Sequence, residues 1–495
     1  MHQAAQAPPP STSPALERIF YRANRPVTEE HDVPLEVIEG AVPAALRGVH
    51  FRNGPGRQEA FGVPYEHPFD GDGMITRFAF DGSDAPVRYR NRFVRTREFE
   101  AEAQAGRMLY RAFGTNLPGG LRTNLLRMTF KNAANTSIVQ HGQRLLALWE
   151  GGLPHRLDPD TLETLGRESF GGLLSNQRSL IDRVLMPELP FSAHPSVDPR
   201  TGELWNFGVA YGGKPRLMLY RIDADGRCQP PQSVVLDRMS FVHDFVLTDR
   251  WRIFFLTPVS FDVPRTLVGL KTPVESLAEA PGVPMEILLV PRDGGPSHKL
   301  QAKAGFIFHF TGGHDINGHT VAVDGYRMDH MPDAASARRV MAGQPIEYPT
   351  PILTRYTLDL RTQTVTETAL CALPGELPTI HPDLQGRPYQ YAWCVALAAE
   401  RPPTLFTAIG KVDVTTGQHI HRDFYPDLPG EPLFVPRPSA TDEDDGWLLT
   451  LIYRAEDHRS ELLILDARDL STVCRLALPH HVPPGFHSTW CPAPQ

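Results

Sequence analysis

Four of the twenty histidines lie in strongly apolar stretches of the sequence. His194 follows Phe-Ser-Ala, His243 lies within the run Met239–Leu247, His309 stands between two phenylalanines, and His487 follows another phenylalanine. An unpaired imidazole in such surroundings costs free energy, and a single buried histidine is usually just a hydrogen-bonded core residue. Four of them on different predicted strands instead predict one shared metal ion, and all-imidazole ligation suits iron, zinc and copper.

Three glutamates also lie in apolar surroundings, and they are Glu150, Glu376 and Glu431. Glutamate is seldom buried without a partner. A metal-binding imidazole needs its second nitrogen fixed, commonly by a carboxylate. We therefore expect a histidine N–H or a cation beside each of these glutamates.

Seven aspartates mark turns between runs of alternating apolar residues, a pattern typical of β-hairpins. They are spaced by 53 to 77 residues, which is enough for a four-stranded unit and its loops. The turns lie at Asp81, Asp158, Asp223, Asp293, Asp359, Asp413 and Asp466. Together with 48 prolines and 40 glycines, they predict an all-β fold, a seven-bladed β-propeller whose inner strands converge on one axis. A pair of β-sandwiches is the alternative, and a similar turn at Asp198 is left over.

The composition limits the class of protein. The net charge of −8 argues against a nucleic-acid partner, and five scattered cysteines indicate neither a disulfide framework nor a zinc–thiolate site. Residues 1–15 are predicted to form a disordered tail, and residues 16–495 a single propeller domain. Because no signal peptide and no long apolar run is present, we expect a cytoplasmic protein that at most lies on a membrane surface.

Two Leu- and Met-rich segments, 117–131 and 171–190, interrupt the β pattern. The second has apolar residues close to helical spacing. Both are predicted to form a helical or loop cap over the top face of the propeller. The cap either buries its apolar residues against the barrel, or exposes them as a patch for peripheral membrane contact and entry of a lipophilic substrate.

Several longer motifs carry a resemblance to a known family. They are Asn53-Gly54-Pro55, residues 67–74, 145–154 and 431–438, Phe308-His309, and residues 485–490. In this order they resemble the signature segments of the carotenoid cleavage oxygenases, over residues 30–492 and most closely the bacterial apocarotenoid 15,15′-oxygenases.

The resemblance implies a seven-bladed propeller with a helical cap and Fe(II) as the cofactor. It implies an O2-dependent dioxygenase that cleaves a C=C double bond of an apocarotenoid or carotenoid polyene into two aldehydes, without an organic cofactor. The iron ligands that it implies are His194, His243, His309 and His487, with Glu150, Glu376 and Glu431 as partners of three of them. It further places five residues beside the iron or the substrate tunnel, namely Phe69, Thr136, Trp149, Phe241 and Phe308. Packing alone is the alternative role for the four aromatic ones.

The sequence departs from the family pattern after His309, where residues 310–317 are predicted to form a remodelled, glycine-rich loop.

There are three alternatives to the cleavage of a carotenoid. A related branch cleaves stilbenes with a lysine where this chain has Trp149, which favours an apolar polyene. The spacing of His381 and Asp383 suits an oxygenase site of two histidines and one carboxylate, but a proline-rich turn disfavours it. A non-catalytic propeller scaffold for protein partners is the third.

Overall fold

The structure is a computed structural model, and it describes residues 16–82, 85–127, 129–176, 188–211, 214–398 and 405–493. The predicted tail, residues 1–15, lies outside the described residues. The chain is built mostly from antiparallel strands with a few short helices, so the all-β prediction is confirmed.

The described strands are numbered in chain order. They are β1 (Asp32–Pro34), β2 (Glu36–Gly40), β3 (Gly48–Arg57), β4 (Glu59–Ala60), β5 (Val63–Pro64), β6 (Asp72–Phe80), β7 (Arg88–Phe93), β8 (Ser137–His141), β9 (Arg144–Leu148), β10 (His155–Leu157), β11 (Thr164–Arg167), β12 (Ser196–Val197), β13 (Leu204–Ala210), β14 (Arg216–Ile222), β15 (Gln232–Val235), β16 (Ser240–Phe241), β17 (Val246–Leu247), β18 (Trp251–Phe261), β19 (Leu277–Glu279), β20 (Met285–Pro291), β21 (His298–Ala302), β22 (Phe306–Asp315), β23 (Thr320–Met328), β24 (Ile352–Asp359), β25 (Thr364–Thr379), β26 (Tyr391–Ala396), β27 (Ala408–Asp413), β28 (His419–Asp423), β29 (Leu428–Pro429), β30 (Leu433–Pro436), β31 (Gly446–Arg454), β32 (Arg459–Asp466), β33 (Thr472–Ala477) and β34 (Ser488–Pro492).

These strands form six main sheets and the small ribbon β4–β5. The first sheet has the order β1-β7-β6-β3-β34, the second β11-β10-β9-β8, and the third β12-β13-β14-β15. The fourth contains β16 to β21, the fifth runs from β22 to β28, and the sixth has the order β2-β33-β32-β31-β29 with β30 also on β31. The late strand β34 therefore belongs to the first sheet, and the early strand β2 belongs to the sixth.

The seven marker aspartates all lie at hairpin turns, as predicted. Each turn connects the third and fourth strands counted along its unit, for example β10 to β11 at Asp158 and β27 to β28 at Asp413. The carboxylates of Asp158 and Asp413 accept backbone N–H groups two and three residues on, which fixes the turn. The extra turn at Asp198 joins β12 to β13, the first hairpin of its unit, which explains why it fell outside the series.

Apolar side chains fill the spaces between neighbouring sheets. Five clusters each lie between one sheet and the next, from the first sheet to the sixth. One further cluster lies within the fifth sheet, and another joins the sixth sheet to the first. Representative pairs, in that order, are Ile75 with Leu145, Leu148 with Leu204, Phe207 with Phe254, Ile287 with Tyr356, Trp393 with Leu448, Tyr326 with Cys394, and Leu449 with Phe78.

Two expectations need correction. Residues 311–315, predicted as a loop, continue strand β22 beyond His309, because after two bulges that end at Gly312 the strand pairs regularly with β23 rather than turning. The expected helical cap is reduced in 117–131 to one helical turn, Leu121–Asn124. Of the segment 171–190, residues 177–187 lie outside the described residues. The other described helices are Leu16–Ala23, Arg97–Ala105, Val263–Leu267, Pro273–Ser276, Ala334–Met341 and the 3₁₀ helix Pro382–Leu384.

The segment 117–131 divides its apolar residues between two environments. Leu117 is buried, whereas Leu121, Leu125 and Leu126 are exposed, the last to 71%. The segment therefore buries part of its apolar surface and exposes the rest. No described helix is long and apolar enough to cross a membrane.

Candidate metal centre

The structure brings the four predicted histidines together. His194 lies two residues before β12, His243 lies between β16 and β17, His309 lies on β22, and His487 directly precedes β34. Each histidine contributes one ring nitrogen to the group, and these four nitrogens all lie within 4.8 Å of one another. Among the described residues, this is the group whose geometry suits a metal ion. The four side chains come from four different sheets.

The ring nitrogens that face each other are suited to a cation. Nε2 of His194 lies 3.0 Å from Nε2 of His487, and Nε2 of His309 is buried without a hydrogen-bond partner among the described residues. Nδ1 of each of these rings faces a glutamate, and an ionised carboxylate only accepts. With the glutamates ionised, Nδ1 carries the proton and Nε2 presents a lone pair. Two nitrogens about 2.1 Å from one ion and at right angles would lie about 3 Å apart, so the donor set fits a metal.

Three glutamates orient the imidazoles. Nδ1 of His309 donates to Glu376 at 2.6 Å, and Nδ1 of His487 donates to Glu431 at 2.8 Å. Glu150 serves two rings, since its Oε1 lies 2.9 Å from Nδ1 of His194 and 3.3 Å from Nδ1 of His243. Three candidate ligands, His194, His309 and His487, thus have a hydrogen-bonded carboxylate at their second nitrogen, the arrangement that fixes ring orientation in metal sites. The contact of His243 with Glu150 is longer and is not a hydrogen bond.

Neighbouring hydroxyl and amide groups hold the carboxylates in turn. Ser488 donates both its backbone N–H and its hydroxyl to Glu431, at 2.8 and 2.7 Å. Ser192 donates its hydroxyl to Glu150 at 3.2 Å. The backbone N–H of Leu377 donates to Glu376 at 2.9 Å. These bonds restrict each carboxylate to the position from which it meets its histidine.

Burial sets the protonation of the centre. It lowers the pKa of His194, His243 and His309 well below the ordinary value, so these rings are neutral and able to bind a metal near pH 7. At His487 burial acts in the same direction, but the nearby Glu431 carboxylate outweighs it and the pKa is raised. Burial also raises the pKa of Glu376 to about 8, a value that a bound cation would lower.

One residue of the centre was missed in the sequence. The Asp244 carboxylate accepts the backbone N–H of Phe310 at 2.9 Å and that of Phe245 at 2.7 Å. It therefore connects the segment of His243 to the strand of His309. Burial raises the pKa of Asp244 to about 7. The sequence feature that could have identified Asp244 is its position directly after a histidine inside an apolar run.

The predicted substrate-binding residues lie at different places around the histidines. The Phe241 ring stacks on His243 with centroids 6.3 Å apart, and the Phe308 ring meets the same imidazole edge-on at 5.3 Å. The backbone carbonyl of Thr136 accepts the N–H of His487 at 3.1 Å.

Phe69 and Trp149 lie beside neighbours of the site residues. The ring of Phe69 contacts Phe486, the neighbour of His487, at 5.2 Å. Trp149 precedes Glu150, and its ring covers Gly151, where an added Cβ would come within 2.8 Å. These rings make the surroundings of the histidine group largely aromatic.

The other histidine candidates lie outside the group. His381 accepts the backbone N–H of Asp383 at 3.2 Å, a local turn contact that leaves no shared cation position. His314 lies on β22, where it pairs with Ala322. Neither belongs to a metal-type cluster among the described residues.

A cavity of about 370 Å³ adjoins His194 and His487. It extends along the ends of strands from all six main sheets. Its wall contains Ser137, Ser196, Val246, Thr311, Thr379, Leu433 and Thr489. The histidine group therefore lies where all the sheets meet.

Comparison with known proteins agrees with this site. The family model described as retinal pigment epithelial membrane protein matches residues 24–492. The chain is 36% identical to the apocarotenoid-15,15′-oxygenase of Synechocystis, over 97% of this chain and 99% of that protein. It is 30% identical to an isoeugenol monooxygenase of Pseudomonas nitroreducens, over 92% and 94%, and 28% identical to a resveratrol cleavage oxygenase of Aspergillus fumigatus, over 94% of each.

The crystal structure of cobalt-substituted Synechocystis ACO superposes with a TM-score of 0.89 at 35% identity, covering 96% of this chain and 99% of that one. The chain belongs to the retinal pigment epithelial membrane protein family, the carotenoid oxygenases. It is an oxygenase, so the scaffold alternative is set aside, and the resemblance stated from the sequence motifs is confirmed.

Proposed function

We propose that this protein is an Fe(II)-dependent dioxygenase that cleaves a C=C double bond of an apocarotenoid into two aldehydes. The observation that carries the proposal is the convergence of four imidazoles from four parts of the fold, three of them with the second nitrogen hydrogen-bonded to a glutamate. Both oxygen atoms of O2 end in the two carbonyl products, so the reaction balances without a reductant.

The proposed fold is a seven-bladed propeller with the metal on its axis. Strand β25 pairs with β24 up to Pro374 and with β26 from Gly375 onward, so it divides the fifth sheet into two units. Six sheets then make seven units, in agreement with seven marker turns and with seven apolar clusters that lead from the first sheet back to itself. The cavity beside His194 and His487, lined by all seven units, supports this axis. We propose residues 16–495 as one domain.

Iron is the proposed metal, and its ligands are His194, His243, His309 and His487. Neutral imidazoles suit first-row metals, and selection among them rests on geometry and availability; a cobalt-substituted relative shows that such a site accepts more than one ion. When bound, iron would supply the activation of O2 for scission of the double bond. Four protein ligands leave room for a further ligand at the metal.

The chain's own residues bind and orient the reactants. Phe241 and Phe308 form an aromatic wall on the His243 imidazole, where a polyene can pack and water is excluded. Phe69, packed on Phe486, and Trp149, beside Glu150, are proposed to border the substrate as well. The backbone carbonyl of Thr136 fixes the backbone of His487. No general acid or base is required, because the double bond reacts without losing a proton.

An apocarotenoid is the favoured substrate, and a stilbene is the second candidate. The first is supported by similarity to the Synechocystis enzyme and by apolar Trp149 at the position where the stilbene-cleaving branch has a lysine. The second is supported by similarity to the resveratrol cleavage oxygenase and to a lignostilbene dioxygenase of Sphingomonas paucimobilis, 27% identical.

The two candidates are separated by one assay. Protein loaded with Fe(II) is given O2 with an apocarotenal or with a hydroxystilbene, and the aldehydes are identified by mass spectrometry. We expect kcat/KM for the apocarotenal to exceed that for the stilbene by at least about ten-fold. The reverse order would assign the stilbene instead, and no cleavage of either would contradict the proposed reaction.

We further propose a peripheral membrane contact for a protein located in the cytoplasm. Exposed leucines of segment 117–131 lie beside the helix Val263–Leu267, since the N–H of Leu126 donates to the carbonyl of Leu267 at 2.8 Å. The resulting patch, called the apolar patch below, consists of Leu121, Leu125, Leu126, Val263 and Leu270. The neighbouring basic residues Arg122 and Arg265 would meet anionic headgroups.

A further inference from the structure

Arg52 is a buried cation close to the metal centre. It lies on β3, where it pairs with Ser488 of β34, and only 4% of it is exposed. A buried arginine is rarely left without a partner. Its Nε nevertheless has no hydrogen-bond partner among the described residues.

The guanidinium is held between two glycines that flank functional residues. A Cβ added to Gly485 would come 2.8 Å from Cζ and Nη1 of Arg52, so the guanidinium lies flat against that backbone. A Cβ added to Gly430 would come 3.1 Å from Nη2. Gly485 precedes His487 by two residues, and Gly430 directly precedes Glu431. The arginine thus packs against both segments that supply the Glu431–His487 pair.

The charge of Arg52 is coupled to the same pair. Burial lowers the pKa of Arg52 to about 10, and the Glu431 carboxylate partly opposes this effect. The guanidinium is therefore still charged at pH 7. The Glu431 carboxylate accepts Nδ1–H of His487, so a residue that holds the Glu431 segment in place also holds the acceptor of that proton.

We propose that Arg52 is a positioning residue, which holds the Glu431–His487 pair in its metal-binding arrangement through its packing on Gly430 and Gly485. This inference rests on the proposed metal site. Arg52 also lines a cavity of about 200 Å³ with mainly apolar walls. Water can solvate the guanidinium there without displacing it from the two glycines.

The test compares metal affinity in Arg52→Met and in a matched control, Arg252→Met. Arg252 is 3% exposed, burial lowers its pKa to about 10 as well, and its Nε likewise lacks a partner among the described residues, but it lies on β18, away from the histidines. Dissociation constants for Fe(II) and Co(II) are measured by chelator competition on the full chain. Thermal unfolding of the metal-free proteins monitors the fold.

We expect Arg52→Met to raise the dissociation constants for Fe(II) and Co(II) by about 10- to 100-fold, the range found when groups that hold metal ligands in place are removed. Arg252→Met should stay within about two-fold of the wild type, and Arg52→Lys, which keeps the charge, should fall between the wild type and Arg52→Met. The absorption spectrum of the Co(II) protein should change in Arg52→Met alone. Equal affinity in Arg52→Met and Arg252→Met would overturn the proposal. A wild type that binds no metal would instead refute the proposed function.

A double-mutant cycle separates positioning from general packing. If Arg52 acts through Glu431, Arg52→Met should weaken metal binding by less than about two-fold in a Glu431→Gln background. If the effects of the two substitutions on the free energy of metal binding are fully additive, Arg52 does not act through this carboxylate, and the proposal is overturned. Should Arg52→Met fail to fold, Gly430→Ala gives the same comparison, because its methyl group displaces Nη2. Wild-type affinity in Gly430→Ala would count equally against the proposal.

Discussion

Oε2 of Glu376 lies 2.6 Å from Nδ1 of His309, the shortest of the carboxylate–imidazole contacts around the four histidines. The Glu376 side chain is only 5% exposed, compared with 32% for Glu150. A buried carboxylate needs a donor or a cation, and a buried imidazole needs its proton fixed on one nitrogen. Each residue of the pair therefore supplies what the other requires.

Replacement of Glu376 should mainly affect metal binding. We expect Glu376→Gln to weaken Fe(II) binding by about 10- to 100-fold, because the amide no longer fixes the proton on Nδ1 of His309. The control is Glu367→Gln on the same strand, whose side chain accepts the Lys303 N–H far from the histidines. Iron affinity by chelator competition checks the prediction, and unchanged affinity in Glu376→Gln would contradict it.

Deletion of the end of the chain should remove both metal and stability. Removing residues 485–495 eliminates His487 and strand β34, which pairs with β3 over five residues. His487→Ala eliminates the ligand alone. We expect both proteins to lose iron, but only the deletion to lower the melting temperature of the metal-free protein, by roughly 10 °C or more. Calorimetry of the metal-free proteins decides, and equal melting temperatures would show that β34 does not contribute to closure.

A buried histidine outside the metal centre predicts the acid sensitivity of the fold. Burial lowers the pKa of His50 to about 3, and neither of its ring nitrogens has a partner among the described residues. The unfolded chain takes up a proton near pH 6.5, whereas the folded one does not. The contribution of His50 to stability is therefore complete above pH 6.5 and is lost as the pH falls toward 3.

His50→Leu should accordingly reduce the pH dependence of stability. Between pH 6 and 4 the slope of the unfolding free energy should decrease by about 1.4 kcal/mol per pH unit, and the stability at pH 7 should be maintained or raised, because an unpaired buried polar ring is replaced. Urea unfolding of the metal-free protein at several pH values measures the slope. Exposed His421→Leu is the control, and parallel slopes for all three proteins would refute the interpretation.

The apolar patch should determine membrane binding. We expect Leu125→Ser with Leu126→Ser to reduce binding to vesicles of phosphatidylcholine and phosphatidylserine by about ten-fold, since two exposed leucines no longer enter the interface. The control, Leu165→Ser with Ile420→Ser, alters equally exposed apolar residues elsewhere. Co-sedimentation measures binding. If the wild type does not sediment with vesicles, or the patch variant sediments as the wild type does, the patch is not a membrane contact.

The sequence revealed the histidines and glutamates because buried polar side chains stand out in apolar runs. It also revealed the hairpins, since Asp158 and Asp413 make local hydrogen bonds that depend on neighbouring residues alone. It did not reveal that Gly312 and Gly313 belong to a strand, because their pairing with Asp324 and Val323 of β23 depends on residues outside the glycine-rich segment. Asp244 and Arg52 were missed for the same reason, as their contacts lie across segments far apart in the chain.

The metal content tests the central claim most directly. The wild type, His309→Ala and the control His314→Ala, which alters a histidine on the same strand β22 outside the group, are reconstituted with Fe(II) without oxygen, desalted and measured for iron. We predict about one iron per chain in the wild type and in His314→Ala, and less than about a tenth in His309→Ala with the fold retained. A wild type without stoichiometric iron, or a His309→Ala protein that keeps it, would contradict the assignment.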